Sequence, residues 1–279
     1  MQVIVQPDDG LLPILKAIKR ARKSIDIVIF RFDISDLEDA LVAAVERGVA
    51  VRALIAHTNR GGEKKLRKLE DRLLKGGATL SRTADDKVRY HGKVVVIDNR
   101  RGYVLGFNFT SLDVKRSRSL GLVTTNPKIV AALTKVIEAD HNRVPPSVAS
   151  TRVVVSPEDA REKLASFIKG AHRELLIYDT NVTDDRMIAL LMQRAAAGVK
   201  VKILGGLERK WKDTGCKVKQ LRGLRLHVRA IVRDRKAAFV GSQSLRKLEL
   251  DKRREVGLIT KDRRAVAQIA KLFESDWKG

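Results

Sequence analysis

Two stretches of the sequence share one pattern and decide how the chain is organised: His91-Gly-Lys93-Val-Val-Val-Ile-Asp98 and His227-Val-Arg229-Ala-Ile-Val-Arg-Asp234. Each stretch opens with a histidine, has a cation two residues later, and reaches an aspartate after four more residues. The intervening residues are mostly apolar and β-branched, which predicts strands over Val94–Ile97 and Ala230–Val232. Because side chains two apart on a strand share a face, each histidine and its cation should project together.

This pattern belongs to an internal repeat. Residues 89–140 align with residues 225–276 without a gap. Identical pairs in this alignment include His91/His227, Asp98/Asp234, Gly121/Gly257 and Asp140/Asp276. A repeat of this length indicates a duplicated domain, and two such halves are expected to pack around a pseudo-twofold axis.

Upstream of the motif, each half alternates apolar strands with amphipathic helices. In the first half the periodicity predicts helices over 10–23 and 36–47, and strands over 25–30 and 49–55. The second half repeats this order over residues 152–204. A glycine follows the second helix of each half, at a position typical of a C-cap.

The fold class that follows is α/β. Residues 143–150, Arg-Val-Pro-Pro-Ser-Val-Ala-Ser, indicate a linker between the halves. We therefore predict two tandem halves over 1–144 and 151–279, each a mixed β-sheet flanked by helices. The first half also carries an inserted basic helix, predicted over Glu63–Lys75.

The charge of the chain is strongly positive and unevenly spread. The sequence has 57 Lys and Arg against 33 Asp and Glu, a net charge of +24. Segments 57–126 and 197–260, which contain the two motifs, together carry +21 of it. A solubilising surface is the plain alternative, but the clustering favours a polyanionic substrate.

Targeting and redox signals are sparse in the sequence. The single cysteine, Cys216, has no partner for an internal disulfide. The first 20 residues lack the charged and apolar regions of a signal peptide, and no run of about 18 apolar residues occurs. We expect a cytoplasmic location.

Two imidazoles and two cations in one pocket can cleave a phosphodiester. One neutral imidazole can attack phosphorus while the other, protonated, gives its proton to the leaving oxygen. The cations neutralise charge on the non-bridging oxygens. Histidine suits both roles because its ordinary pKa lies near neutrality. His57, His141 and His172 have no repeat partner.

Each motif is followed by a glycine-containing turn, Leu105-Gly-Phe-Asn108 in the first half and Gly241-Ser-Gln-Ser244 in the second. The whole arrangement resembles the phospholipase D superfamily, whose signature is His-x-Lys-(x4)-Asp-(x6)-Gly-(Gly/Ser)-x-Asn. The resemblance covers nearly the whole chain. It implies two mixed sheets with the site at their seam, a phosphohistidine intermediate, and no metal or other cofactor.

The resemblance also implies roles for individual residues. His91 is expected to be the nucleophile and His227 the general acid and later base. The groups expected to hold the phosphoryl oxygens are Lys93, Arg229, Asn108 and Ser244. Glu255 is expected to orient His91, and its counterpart in the repeat, Ser119, to be the weaker partner of His227. Asp98 and Asp234 are expected to be structural.

The second half departs from the signature at several positions. Arg229 replaces lysine and Ser244 replaces asparagine, while Leu105 replaces the first glycine of the turn in the first half. An arginine keeps the charge but is bulkier and binds oxygens bidentately. Glu255 lies in a run of basic residues, so a salt-bridging surface position is its alternative interpretation.

Three functions remain open on the sequence. The favoured one is a phosphodiesterase acting on nucleic acid, because the basic excess lies in the segments that bear the motifs. The second is a phospholipase or phosphatidyltransferase acting on anionic phospholipid. The third is a nucleic-acid binder whose degenerate second half no longer catalyses.

Overall fold

The repeat forms two mixed β-sheets in the computed structural model of the protein, which describes residues 1–57, 63–83, 89–208 and 214–279. The elements of the first half are β1 (Gln2–Gln6), α1 (Leu12–Arg20), β2 (Ser24–Ile29), α2 (Ser35–Glu46), β3 (Ala50–Ile55), α3 (Glu63–Lys75), β4 (Thr79–Arg82), β5 (Arg89–Tyr90), β6 (Val94–Ile97), β7 (Arg101–Leu105), α4 (Ser111–Lys115), β8 (Ser117–Thr124) and α5 (Pro127–His141).

The second half repeats this order with a shorter insertion. Its elements are β9 (Val153–Ser156), α6 (Ala160–Lys169), β10 (Glu174–Val182), α7 (Asp185–Ala196), β11 (Lys200–Leu207), β12 (Lys217–Lys219), β13 (Arg225–Leu226), β14 (Ala230–Arg233), β15 (Ala237–Gly241), α8 (Lys247–Asp251), β16 (Arg253–Thr260) and α9 (Arg263–Lys278). Residues 142–152, between the halves, form neither helix nor strand. The predicted α/β class with two mixed sheets is confirmed.

Helix α1 is shorter at both ends than the predicted 10–23. Gly10 has a positive φ of 57° in the turn before the helix, so the helix begins only at Leu12. At the other end, the carboxylate of Asp98 accepts hydrogen bonds from the backbone N–H groups of Arg22, Lys23 and Ser24. These N–H groups are therefore not available to extend the helix.

The two sheets have matching strand orders. The first runs β1-β8-β7-β6-β2-β3-β4, and the second runs β12-β11-β10-β14-β15-β16, with β9 also paired to β16. Strand β2 is parallel to β3 and antiparallel to β6, and β10 has the same relation to β11 and β14. In both halves the strand that follows the motif histidine (β6 or β14) therefore begins beside the C-terminal end of the antiparallel neighbour (β2 or β10).

Each sheet also receives a short strand from the other half, which the sequence did not indicate. Strand β5 of the first half pairs in parallel with β16 of the second, and β13 of the second half pairs in parallel with β8 of the first. These two-residue strands come directly before His91 and His227. The exchange is reciprocal, as a pseudo-twofold relation requires.

One apolar core joins the sheets, and each half has a second core of its own. The joint core takes side chains from both sheets and from α5 and α9, including Val94, Leu122, Leu176 and Phe273. The core of the first half lies under α1, α2 and α3, and that of the second half under α6 and α7. Burial in the joint core fixes the sheets relative to each other.

Two equivalent ion pairs cross the seam between the halves. Arg118 of the first half contacts Asp276 of the second at 2.9 Å, and Arg254 of the second contacts Asp140 of the first at 2.8 Å. These four residues occupy identical repeat positions, so the duplication has kept the pair in both copies. Arg254 is 2 % exposed and also contacts Glu158. Its buried charge is therefore fully partnered.

Among the helices that the structure describes, none combines the length and the apolar character needed to cross a bilayer.

Candidate active site

The two motif histidines line one cleft of about 300 Å³ at the seam. Each follows an exchanged strand, so its main chain is held by the opposite half. The backbone N–H of His91 donates to the carbonyl of Arg254 at 2.7 Å, and that of His227 donates to the carbonyl of Arg118 at 3.0 Å. The imidazoles are thereby placed by main-chain hydrogen bonds across the seam.

His91 is held on both ring nitrogens. Its Nδ1 lies 2.9 Å from Oε2 of Glu255, and its Nε2 lies 2.9 Å from Nζ of Lys93. Phe30 packs edge-on against the ring, with centroids 4.7 Å apart. A carboxylate at Nδ1 favours the tautomer with the proton on Nδ1 and a lone pair on Nε2. Glu255 is fully buried, which excludes a surface role for it.

Burial dominates the electrostatics around His91. It lowers the pKa of His91 well below the usual value, and the charges of Lys93 and Arg229 lower it further. Burial also lowers the pKa of Lys93 to about 7. Burial raises the pKa of Glu255, against the opposing charge of Lys93. In the free protein at neutral pH the His91 ring is therefore uncharged, as a nucleophile must be.

The partner of His227 differs from the sequence expectation. Ser119 does not contact the imidazole; its hydroxyl donates to the main-chain carbonyl of His227 at 3.2 Å. The carboxylate next to the ring belongs to Asp113, whose Oδ2 lies 3.4 Å from Nδ1 of His227. That distance is within ion-pair range but too long for a strong hydrogen bond. The group beside the His227 ring is therefore the acidic Asp113 and not the expected Ser119.

Asp113 is fixed by three further donors. It accepts from the backbone N–H and the side-chain amide of Asn108, at 2.8 and 2.7 Å, and from Arg225 at 2.7 Å. Burial works against its ionised form, but His227 and these donors prevail and lower the pKa of Asp113. Asp113 is thus a charged group beside a buried imidazole. The repeat contains the signal for it, because Asp113 aligns with Glu249, another buried acid.

Burial also governs His227. It lowers the pKa of His227 well below the usual value, the charge of Arg229 lowers the pKa further, and the charge of Asp113 acts in the opposite direction.

Replacing Asp113 with asparagine should therefore lower the pKa of His227 still further. We expect Asp113→Asn to slow any step that needs the imidazolium by about tenfold or more. A histidine NMR titration measures the first effect directly. Ser119→Ala, the matched control, should leave this titration unchanged. Equal titration shifts in both variants would assign Asp113 to folding alone.

The four residues expected to hold phosphoryl oxygens are not equivalent. Lys93 is 1 % exposed and already contacts His91. Arg229 is partly buried, donates from Nε to the hydroxyl of Ser244 at 3.3 Å, and contacts the carbonyl of His227. Asn108 lines the cleft, and its Oδ1 is buried without a hydrogen-bond partner. Ser244 is fully buried behind Arg229.

Asp98 and Asp234 lie at the far ends of the motif strands. The carboxylate of Asp234 accepts from the backbone N–H groups of residues 172–174, just as Asp98 does from residues 22–24. Both residues have a positive φ, which aspartate tolerates in tight turns. Their contacts join the hairpin turn to the preceding strand and do not reach the cleft.

Over the described ranges, no three His, Cys, Asp or Glu side chains are grouped so as to hold a metal ion.

Comparison with known proteins places the chain in a family. The family described as "Cardiolipin synthase, PLD-like domain" matches residues 14–141 and 164–277. No curated protein matches the sequence. Among solved structures, polyphosphate kinase from Porphyromonas gingivalis superposes with a TM-score of 0.81 and 18% identity, over 98% of this chain and 49% of that one. The chain therefore spans about half the length of that relative.

Two further solved structures are similar to the chain to different extents. Phosphatidylserine synthase from Haemophilus influenzae has a TM-score of 0.70 and 11% identity, over 99% of this chain and 86% of that one. Nuc from Salmonella typhimurium, a phospholipase D family member, has a TM-score of 0.46 and 24% identity, over 53% of this chain and 99% of that one. The family match covers both motifs and most of both halves. The chain belongs to the phospholipase D superfamily.

Proposed function

We propose that the protein cleaves phosphodiester bonds in nucleic acid through a covalent intermediate on His91. The observation that carries this is the position of Glu255 on Nδ1 of His91, which leaves a lone pair on Nε2 in the cleft that His227 also lines. Nε2 attacks phosphorus, a P–N bond forms, and the P–O bond to the leaving group breaks. His227, in its protonated form, gives its proton to the leaving oxygen.

The second step reverses these roles. Water attacks phosphorus and gives its proton to the now neutral His227, while the P–N bond breaks and restores His91. Lys93 donates to Nε2 of His91. A phosphate oxygen competes for this ammonium group, so substrate binding frees the lone pair as it neutralises the phosphate. Arg229 adds a second positive charge at the seam.

The rim of the cleft supports a polyanion as substrate. Its lining includes four cationic side chains: Arg31, Lys65, Arg89 and Arg225. The described lining also contains two carboxylates, Asp33 and Asp113, and one strongly exposed apolar side chain, Leu112, which is 48% exposed. A site for a lipid headgroup at a membrane favours a broader apolar rim, whereas a nucleic-acid backbone favours charge.

Phospholipid is the second candidate substrate. Leu112 on the cleft and the family description both favour it, since that description refers to cardiolipin synthase. In this case the same attack by His91 would release or exchange a headgroup.

The decisive experiment presents the candidate substrates side by side. Purified protein with EDTA is incubated with labelled single- and double-stranded DNA, RNA, and vesicles of phosphatidylglycerol and cardiolipin. We expect cleavage of a nucleic acid that EDTA does not reduce, because Lys93 and Arg229 provide the charge that a metal would otherwise supply. Loss of activity in EDTA with recovery on adding a divalent ion would contradict the mechanism. Headgroup release from vesicles without nucleic-acid cleavage would establish the second candidate instead.

The pH dependence should show the lowered pKa values of the site. The reactive state needs neutral His91, protonated His227 and protonated Lys93. Since burial lowers the pKa of Lys93 to about 7, its charge is lost as the pH rises through that value. Because the pKa of His227 is lowered as well, its protonated fraction also falls on that side. We therefore expect kcat/KM to peak on the acid side of neutrality.

A variant separates the two contributions to the alkaline fall. In Lys93→Arg the new side chain stays charged at all accessible pH values. The part of the alkaline fall in kcat/KM that is due to residue 93 should therefore disappear, while the part due to His227 remains. The measurement is kcat/KM against pH with a small phosphodiester. A maximum above pH 8 in the wild-type protein would contradict the assignment of protonation states.

A further inference from the structure

A second cluster of cations lies outside the active site. Helix α1 and the hairpin of β6 and β7 enclose a cleft of about 390 Å³, called here the α1–β7 cleft. Its lining includes four exposed basic residues: Lys16, Arg20, Arg100 and Arg101. In the part of the chain that the structure describes, none of these four forms an ion pair with a carboxylate.

The one acidic residue in the lining, Asp98, offsets only part of this charge: it is attracted to Arg100 but forms no ion pair with any of the four. Asp98 directs its carboxylate to three backbone N–H groups at the end of α1. The aromatic residue of the cleft, Tyr103, is only 2% exposed, so it offers no ring for a base to stack on. Uncompensated like charges around a concave surface repel each other and attract an anion. The lining therefore suits phosphate groups rather than bases.

The repeat shows that the fold does not require these cations. At the equivalent positions of the second half, Ser166 and Gly170 stand for Lys16 and Arg20, and Ala237 stands for Arg101. Only Arg100 has a basic counterpart, Lys236. There the guanidinium of Arg233 stacks on Phe167, 4.6 Å from the ring centroid, and lies close against Gly170. In the second half the side chain of Arg233 thus occupies the place that corresponds to the open basic cleft of the first half.

The α1–β7 cleft is separate from the active site. Lys93 precedes β6 in the active site, and Asp98 follows β6 in the α1–β7 cleft. The five residues of extended chain from Lys93 to Asp98 span roughly 16 Å, and the path over the surface from one site to the other is longer. A bound strand would need several nucleotides to reach both.

We propose that the α1–β7 cleft is a second binding site for backbone phosphates of a nucleic-acid strand, which anchors long substrates away from the point of cleavage. This inference rests on the proposed function for the identity of the polymer. Its recognition chemistry is charge alone, so it should not depend on base sequence. It predicts that long strands gain affinity that short ones lack.

The test compares two variants that each remove three positive charges. In the cleft variant Lys16, Arg20 and Arg100 become alanine; in the control variant the exposed Lys128, Lys135 and Lys236 become alanine. Affinity for phosphorothioate single strands of roughly 30 and roughly 4 nucleotides is measured against salt concentration. Thermal unfolding of both variants checks that the fold is intact.

We expect only the cleft variant to bind the long strand about tenfold more weakly. The slope of log affinity against log salt concentration should also be smaller by about 2, since each phosphate contact contributes about 0.7 to it for single strands. Binding of the short strand and hydrolysis of bis(p-nitrophenyl) phosphate should be unchanged. Equal behaviour of the two variants would overturn the second site while leaving the proposed cleavage intact. If the salt dependence falls in the cleft variant but the wild-type protein cleaves no strand, the second site is retained and the proposed function is rejected. Binding to phosphatidylglycerol vesicles is measured in parallel, and its loss in the cleft variant with strand binding unchanged would reassign the cleft to lipid headgroups and overturn the inference.

Discussion

Replacing His91 with alanine is expected to abolish the covalent intermediate and to lower phosphodiester turnover by about a thousandfold or more. The reason is that Nε2 of His91 is the attacking atom of the proposed mechanism. The other ring nitrogen, Nδ1, lies 2.9 Å from the buried carboxylate of Glu255. Among the described residues of the cleft, no other group combines a carboxylate this close to a ring nitrogen with a pKa held well below the usual histidine value, since Asp113 lies 3.4 Å from His227. The measurement is single-turnover trapping of an acid-labile phosphohistidine, followed by mass spectrometry of the labelled peptide.

A matched control exists in His172, which is exposed and lies away from the cleft. His172→Ala should retain wild-type rates and labelling. Glu255→Gln should give a smaller loss than His91→Ala, because the ring remains but loses its carboxylate partner. Turnover near the wild-type level in His91→Ala, or a label on another residue, would show that the nucleophile has been misassigned.

Replacing His227 with alanine should have the second largest effect, and the size of this effect should depend on the leaving group. Ribose and deoxyribose oxygens leave poorly without a proton, so strand cleavage should fall by about a hundredfold to ten-thousandfold. A p-nitrophenolate group leaves without acid help, so its release in the first step should fall by less than about tenfold. Because His227 also activates water in the second step, the phosphohistidine should accumulate with this substrate.

Burst kinetics measure this directly. In His227→Ala, bis(p-nitrophenyl) phosphate should give one rapid turnover of nitrophenolate followed by a slow steady rate. Equal losses for both kinds of leaving group, with no burst, would mean that His227 acts in binding or folding rather than in proton transfer.

Much of this arrangement could be predicted from the sequence, because it depends on local periodicity and on the repeat. Helix α3 has the predicted bounds, Glu63–Lys75, and strand β6 has the predicted bounds, Val94–Ile97. Both segments have an unambiguous apolar pattern. The α/β class and the two sheets likewise follow from alternating strands and helices. The functional roles of the motif residues stay predictions until the variants above are measured.

What the sequence did not predict depends on contacts between the halves. The exchanged strands are two residues long and pair through main-chain groups, which carry no side-chain pattern. Asp113 was missed because the expectation for His227 was placed at the position equivalent to Glu255, where Ser119 stands. The acid lies six residues earlier, on the short helix α4, and only the packing of that helix against the seam brings it to the ring.

The side chains beside the exchanged strands give the cleft a direction. The strands place the backbone of His91 and His227 by the same hydrogen bonds, so the scaffold is symmetric, while the side chains around it are not. The His91 ring contacts Glu255 and Lys93 through its two nitrogens, whereas the His227 ring has Asp113 beside Nδ1. A phosphodiester has two different ester oxygens, and in the proposed mechanism the oxygen that departs is the one next to His227. Under the proposed function, a symmetric pair of identical halves would accept a strand in either polarity, whereas this fused pair would distinguish the 5′ side of the scissile phosphate from the 3′ side and leave the phosphate on one defined end.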